Sequence, residues 1–369
     1  VEIAPITLPN GRVIGPGHPC FVVAEVGQNH QGDVYTALRL LKAAHEARVD
    51  AVKFCKRDIG SDLSPEAYNR SYDNPHSFGE TYGKHREALE LSLADYRHLV
   101  ERMRYNEWPE VFFSTVCDRV SADELEREID PPMYKIASRD IDNRPLIEHV
   151  ARFGKPVILS TGMQSGVIAR QAVDVIRKHH DKVIVLYCVS EYPTPLEHLD
   201  LSVLPAMQEY FGCPVGFSDH TAGIVAAQAA ALLGAVMVEK HVTLARAMKG
   251  TDHAGSLEPE GIRRLVRNIR AGEILQEPVE GAALAARRAA VEANRLKLGR
   301  SLVAARTILP GETIGEEMLA LKSPGCGLGW GERGKVIGKT AEIYIGVGML
   351  ISEEDVETET ADEVAEVPA

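Results

Sequence analysis

The chain has 369 residues, 45% of them hydrophobic and 25% charged, with a formal net charge of −12. No run of 18 apolar residues is present, the start VEIAPITLPNGRVIG has neither the basic region nor the apolar core of a signal peptide, and no broad basic face exists for nucleic acid. A cytoplasmic globular protein of one large and one small domain is expected, with its six cysteines, none in a CxxC pair, as buried thiols rather than a zinc knuckle.

In chain order, eight short runs read as strands: FVVAEV (21–26), AVKFC (51–55), VFFST (111–115), MYKIAS (133–138), PVILST (156–161), VIVLYCVS (183–190), PVGFSDH (214–220) and VMVEKH (236–241). Helical patterns lie between most of them. DVYTALRLLKAAHEARV has apolar residues at helical spacing behind Asp33 as N-cap, the periodicity recurs after Leu93, and TAGIVAAQAAALLG fills the seventh gap. Strands alternating with helices predict an α/β fold, a (β/α)8 TIM barrel over residues 1–281. The competitor, a doubly wound sheet, would want a GxGxxG after the first strand, and none is there. Residues 282–298 are Ala- and Arg-rich and read as a helical linker. Beyond them, GRSLVAARTILPGETIGEEML (299–319) returns weakly as GKTAEIYIGVGMLISEEDV (338–356), which predicts a duplicated small β unit over 299–356. Glu353 to Ala369 hold eight acids and no base, so 357–369 read as a solvated, disordered acidic tail.

The C-terminal ends of the strands are polar: Glu25, Lys53, Thr115, Lys135 with Ser138, Ser160 with Thr161, Ser190, Ser218 with His220, and Glu239 with His241. In a barrel these ends converge on one mouth. A lone histidine at a strand end is more often structural than a ligand. His220 and His241 close neighbouring strands, with Asp219, Glu239 and Asp252 near in sequence, so a divalent metal site is expected, with Mn²⁺, Fe²⁺ or Co²⁺ preferred and Mg²⁺ possible. Lys53 and Lys135 are embedded in apolar strands. Either they clamp a phosphate together with strand-end hydroxyls, or one of them forms a Schiff base; two lysines among many hydroxyls favour the clamp. Glu25 at that depth can act as acid or base, or be a salt-bridge partner for a lysine. Asn29 and His30 read as capping candidates for the next helix.

The motifs AEVGQNHQGD, AVKF, YKIASRDIDNRPLI, ILSTGM, YPTP, GFSDHT, EKHVT and GTDHAGSLEP, in this order across about residues 10–357, together resemble the sialic acid synthase family. The resemblance implies a (β/α)8 barrel followed by an antifreeze-like β domain. It also implies condensation of phosphoenolpyruvate (PEP) with an aldose to a nine-carbon 3-deoxy-ulosonic acid and phosphate. By the same resemblance His220 and His241 hold the metal and Glu25 is the acid/base residue. Lys53, Thr115, Lys135, Ser138, Ser160, Ser190 and Ser218 hold PEP, while Tyr192 and Asp252 contact the sugar, Asp252 counting with Glu25 as a catalytic residue. With a linker of this length it further implies a domain-exchanged homodimer.

Departures from the family pattern bear on the sugar. Cys55 stands where free-sugar members carry Gln, and Val116 with Cys117 replace the end of STPF. Asp140, Ser190 and Ser323 replace a Glu, an Asn and an Arg, which matches animal-type members that take hexose 6-phosphates and make 9-phosphorylated acids. N-acetylmannosamine 6-phosphate and mannose 6-phosphate are the expected substrates. In the long connection after the second strand, Arg70, His76, Lys84, His85 and Arg86 gather in an otherwise acidic chain, and Arg70 and His85 are the expected partners of the sugar phosphate. The alternatives are the same chemistry on a free sugar, a Schiff-base lyase of sialic-type acids, and a sugar-phosphate sensor.

Overall fold

The computed structural model describes residues 3–357. Eight parallel strands close a barrel: β1 (Phe21–Gly27), β2 (Ala51–Lys56), β3 (Val111–Val116), β4 (Tyr134–Ile136), β5 (Val157–Ser160), β6 (Val183–Tyr187), β7 (Val215–Asp219) and β8 (Met237–His241), with β8 pairing β1. All eight lie on the runs read as strands. The main helices are α1 (Val34–Glu46), α2 (Leu93–Tyr105), α3 (Arg119–Glu128), α4 (Arg144–Ala151), α5 (Gly166–Arg177), α6 (Val203–Phe211), α7 (Val225–Leu232) and α8 (Pro259–Gln276), each following the strand of its number. Asp33 caps α1 as expected, accepting from the Tyr35 and Thr36 N–H groups. Asn29 and His30 cap nothing. Asn29 is buried and bonds the Val242 carbonyl and Ser256, while His30 stacks on Phe54.

The period of two along each strand sorts residues into two cores. Val22, Ala24, Val52, Phe112, Tyr134, Val157, Leu159, Val185, Phe217 and Val238 belong to the layer shared with the helices. Phe21, Val23, Ala51, Val111, Phe113, Met133, Ile158, Ile184, Leu186 and Met237 fill the lumen. Ile6, Leu8 and Ile14 join this inner core from a short antiparallel hairpin, Ile6–Thr7 with Val13–Ile14, which plugs the lumen at the end where the strands begin. On β7 the lumen position is Gly216. A Cβ there would come within 2.4 Å of the Met237 carbonyl oxygen and 2.7 Å of Leu186, so only glycine fits.

The barrel falls in a compact unit ending at Gln276, and residues from Glu277 form a second. The segment read as a linker is an 18-residue helix, α9 (Gly281–Leu298), with no buried residue. In the second unit, strands Ser301–Ala304 and Leu319–Lys322 pair antiparallel. The two related segments face each other through bridges Val303 to Leu350, Ile308 to Ile345 and Thr313 to Thr340. Each segment carries the same 3₁₀ turn, Glu316–Met318 in one and Glu353–Asp355 in the other. Leu302, Ile308, Ile314, Ala341, Ile345 and Ile351 make its own core. The expected acidic tail lies outside the described residues beyond 357. Among the described residues no helix is long and apolar enough to cross a membrane.

Candidate active site

The lumen parity carries on past the apolar layer. On β1 it runs Phe21, Val23, Glu25; on β2 Ala51, Lys53, Cys55; on β3 Val111, Phe113, Thr115. It runs Met133, Lys135 on β4, Ile158, Ser160 on β5, Gly216, Ser218 on β7 and Met237, Glu239, His241 on β8. These polar residues therefore line one cavity of about 410 Å³ at the ends of the strands. Of the residues singled out in the sequence, Glu25, Lys53, Thr115, Lys135, Ser138, Ser160, Ser190, Tyr192, Ser218, His220, His241, Asp252 and His85 line it.

Its floor is a charge network. Lys53 Nζ lies 2.8 Å from Glu25 Oε2 and 3.1 Å from Glu239 Oε2, and donates to Thr115 Oγ1 at 3.0 Å. Lys135 Nζ stands 3.7 Å from Glu239 Oε1, which also accepts from Ser218 Oγ at 3.0 Å. Burial pulls against the charge on Lys53, but Glu239 and Glu25 outweigh it and hold that lysine above its ordinary range. Burial lowers Lys135 despite Glu239. Burial raises Glu25 to about 8, with Lys53 opposing, so this carboxyl can carry a proton near neutrality. Ser160 Oγ and Ser190 Oγ are buried without a hydrogen-bond partner among the described residues. Hydroxyls left so have free donor capacity aimed where a ligand oxygen can use it.

Five cations, Lys53, Arg57, Arg86, Lys135 and Arg139, line the cavity against three carboxylates, Glu25, Glu239 and Asp252. In a chain of net charge −12 this is a local positive field suited to an anionic ligand.

The connection after β2 is arranged differently from expectation. Arg70 does not line the cavity; its guanidinium lies over the Tyr82 ring at 5.4 Å, and it borders a separate hollow with Ser64, Pro65, Glu66, Ala67 and Asn69. The peptide continues extended from Arg70, whose carbonyl accepts from Tyr82 N–H. His85 does reach the cavity, but burial lowers its imidazole to about 4 and its Nδ1 accepts from the Phe78 N–H at 3.1 Å. It is a neutral acceptor that shapes the loop. The cation this loop presents is Arg86, donating to Gln28 Oε1 at 2.6 Å and to the Tyr82 hydroxyl at 2.6 and 2.9 Å.

Residues 40–279 match the NeuB family, and residues 299–357 match the SAF domain. Human N-acetylneuraminate-9-phosphate synthase is 37% identical over 313 residues, 85% of each chain. The N,N'-diacetyllegionaminic acid synthase of Legionella pneumophila is 32% identical over 354 residues, 93% of this chain and 96% of the relative. The solved N-acetylneuraminic acid (sialic acid) synthetase of Leptospira borgpetersenii, in complex with citrate, superposes with a TM-score of 0.66 at 32% identity, covering 79% of this chain and 96% of that one. This chain belongs to the NeuB family. It is an enzyme of the sialic acid synthase type, a transferase built as a (β/α)8 barrel with a C-terminal SAF domain.

In this NeuB-family enzyme the two histidines have the chemistry a metal needs. His220 Nδ1 lies 2.7 Å from the Val189 carbonyl, which can only accept, so Nδ1 carries the proton and Nε2 offers a lone pair. Burial, then His241, lowers His220 to about 4, and burial lowers His241 as well, so both rings are neutral. His241 Nδ1 is buried and without a partner, and the ring centroids are 5.8 Å apart. Among the described residues no three His, Cys, Asp or Glu side chains form a group that could hold an ion. The donor set here is two neutral imidazoles, so a divalent ion between them would have to complete its shell with oxygens of substrate and water.

The sequence placed Glu239 at the mouth without giving it a role, although it is the hub of the network. Its parity with Met237 and His241 was the available signal. Arg57 and Arg139 were passed over. They keep the lumen parity of Lys53 with Cys55 and of Lys135 just beyond the strand ends, so the same period of two was the available signal.

Proposed function

We propose that this enzyme condenses PEP with an aldose 6-phosphate, N-acetylmannosamine 6-phosphate or mannose 6-phosphate, to a nine-carbon 3-deoxy-ulosonic acid 9-phosphate and inorganic phosphate. The observation that carries it is the buried floor of Lys53 and Lys135 ringed by Thr115, Ser138, Ser160, Ser190 and Ser218, a cradle for a small molecule with both a phosphate and a carboxylate. Support for the sugar phosphate comes from the relatives named as 9-phosphate synthases and from Arg57, Arg86 and Arg139 on the cavity wall.

The lysines fix PEP with its C3 turned to the mouth, and Tyr192 with Asp252 hold the sugar above it. A divalent ion held by His220 and His241, Mn²⁺ foremost, then Co²⁺ or Mg²⁺, would polarise the sugar aldehyde as a Lewis acid. C3 of PEP bonds the aldehyde carbon, and positive charge develops at C2. Glu25 sits within the network to give a proton to the nascent alkoxide and to take one from the water that adds at C2. The carboxylate of Glu239, which burial opposes but Lys135 and Lys53 hold ionised at a value near 2, favours the cationic centre. Cleavage of the C2–O bond then releases phosphate. A domain-exchanged homodimer, in which the SAF unit covers the partner's mouth, is part of this reading; the exposed helix α9, about 27 Å long at 1.5 Å per residue, provides the reach.

The test is phosphate release from PEP with Mn²⁺ and a panel of aldoses with and without a 6-phosphate. Release only with 6-phosphates is expected. Release with free sugars alone would overturn the sugar assignment. A second reading rests on the depressed Lys135, since a Schiff-base lyase uses such a lysine. It requires borohydride trapping of pyruvate on the protein and activity that survives EDTA.

A further inference from the structure

Two sulfur atoms in the cavity wall have no part in the reaction above. Cys55 ends the lumen-facing series of β2, and Cys117 follows Thr115 just past the end of β3. Cys55 is in register with Thr115, and the Cys117 N–H donates to the Lys56 carbonyl at 3.2 Å, which ties the two strand ends side by side. The Sγ atoms are 3.5 Å apart. Arg57 Nη2 donates to Cys55 Sγ at 3.0 Å, and its Nε is pinned 2.9 Å from Glu90 Oε1. The bland reading is a pair of small packed side chains filling space where other family members have larger ones. Three observations go beyond it. Both sulfurs line an open cavity rather than the sealed core, they touch each other, and a guanidinium is fixed on one of them. No other thiol among the described residues combines these: Cys20 and Cys213 are buried away from the cavity, Cys188 bonds Ser138 Oγ, and Cys326 lies on the second unit.

We propose that Cys55 and Cys117 form a reversible dithiol–disulfide modification site in the cavity wall, with a small peroxide as co-reactant. Arg57 stabilises the thiolate on Cys55, making it the attacking sulfur. The contact with Cys117 and the charge of Arg57 pull its thiol well below the ordinary range against the opposing effect of burial, whereas the contact with Cys55 and burial push Cys117 up. Cys55 sulfur attacks a peroxide oxygen, the O–O bond breaks, and the leaving hydroxide takes a proton to become water. The sulfenic acid so formed is attacked by Cys117 sulfur. The S–S bond forms, the S–O bond breaks, and the hydroxyl leaves with the Cys117 proton as a second water. Two electrons pass from the sulfur pair to the peroxide. Closure takes away the sulfur acceptor of Arg57, one of the cations assigned to the substrate phosphate, so the oxidised form is inactive.

The experiment treats the purified full-length chain with hydrogen peroxide, alkylates the remaining thiols and maps peptides by mass. The expected result is a Cys55–Cys117 cross-linked peptide lighter by two hydrogens, about 2 Da, with phosphate release falling as it accumulates and returning with dithiothreitol. In Cys117→Ser the cross-link is absent, and Cys55 proceeds to sulfinic acid with a loss that thiol does not reverse. Sulfinic acid on Cys55 without a cross-link in the unaltered chain, a cross-link to another cysteine, or a Cys55–Cys117 cross-link with undiminished phosphate release would each overturn the proposal. The peptide map decides the site whichever sugar the enzyme takes, so it stands or falls apart from the substrate assignment.

Discussion

His220 and His241 differ in what their Nδ1 atoms do: one donates to the Val189 carbonyl, the other is buried without a partner. His220→Ala and His241→Ala are each expected to abolish turnover and to lower the Mn²⁺ retained after dialysis, with far-UV circular dichroism unchanged. Near-normal phosphate release by either variant in EDTA-treated buffer would refute the metal assignment. Arg86 is the loop cation that faces the cavity, so Arg86→Ala should raise KM for the sugar phosphate by about one to two decades, the loss of one charge-assisted bond, and leave KM for PEP nearly unchanged. A change in PEP affinity instead would make Arg86 a structural residue. At this scale the sequence showed residue type well and direction poorly. The strand-end residues were legible because their direction follows from parity with the apolar residues behind them. Arg70 and His85 were less so. Their basic character was plain, but Arg70 leaves a short helix in extended backbone and lies over Tyr82, and His85 is on the buried side of the helix Tyr82–Ala88 as an acceptor.

Between β7 and β8 a second pair of charges faces the other way. Asp219 and Lys240 are register partners on the helix-side face, one beside His220 and the other beside His241, and both are fully buried. Lys240 Nζ donates to Asp219 Oδ2 at 2.8 Å and to the Thr221 carbonyl at 2.5 Å, while Asp219 Oδ1 accepts from the Thr221 N–H. This clamps the two strand ends that carry His220 and His241. Removing one partner leaves a buried unpaired charge, so Asp219→Ala should cost about 3–5 kcal/mol in denaturant unfolding, and the double change Asp219→Leu with Lys240→Met much less. Equal losses in both variants would show that the pair acts through packing alone. The eight strands and Asp33 as a helix cap were readable because short β-branched runs and an acid before an amphipathic stretch have few other meanings. The structure shifts the ends of the runs. PVGFSDH is cut to Val215–Asp219, with pairing to β6 beginning at Val215 and pairing to β8 ending at Asp219, while β1, β2 and β3 each run one residue longer than read.

For the whole molecule, the reading above makes each active site a product of two chains. Mixing a Glu25→Ala full-length chain with a chain truncated after Leu298 should restore phosphate release, since the intact barrel of one gains the SAF unit of the other. Failure to restore it after the two are unfolded and refolded together, with a monomer in light scattering, would remove the exchanged dimer. The weak internal repeat was legible as a separate β unit because its two copies keep the same glycine and acidic turn positions. Nothing in either copy says which barrel it covers. The hairpin that brings Ile6, Leu8 and Ile14 into the lumen has its own consequence. With that end stoppered, traffic runs through one doorway, and the occupant of the lowest berth must board first and disembark last. If PEP takes the berth on Lys53 and Lys135 first and the sugar binds only above it, a dead-end analogue of the sugar should inhibit uncompetitively against PEP in initial-rate kinetics, while noncompetitive inhibition would mean that the two substrates enter in either order.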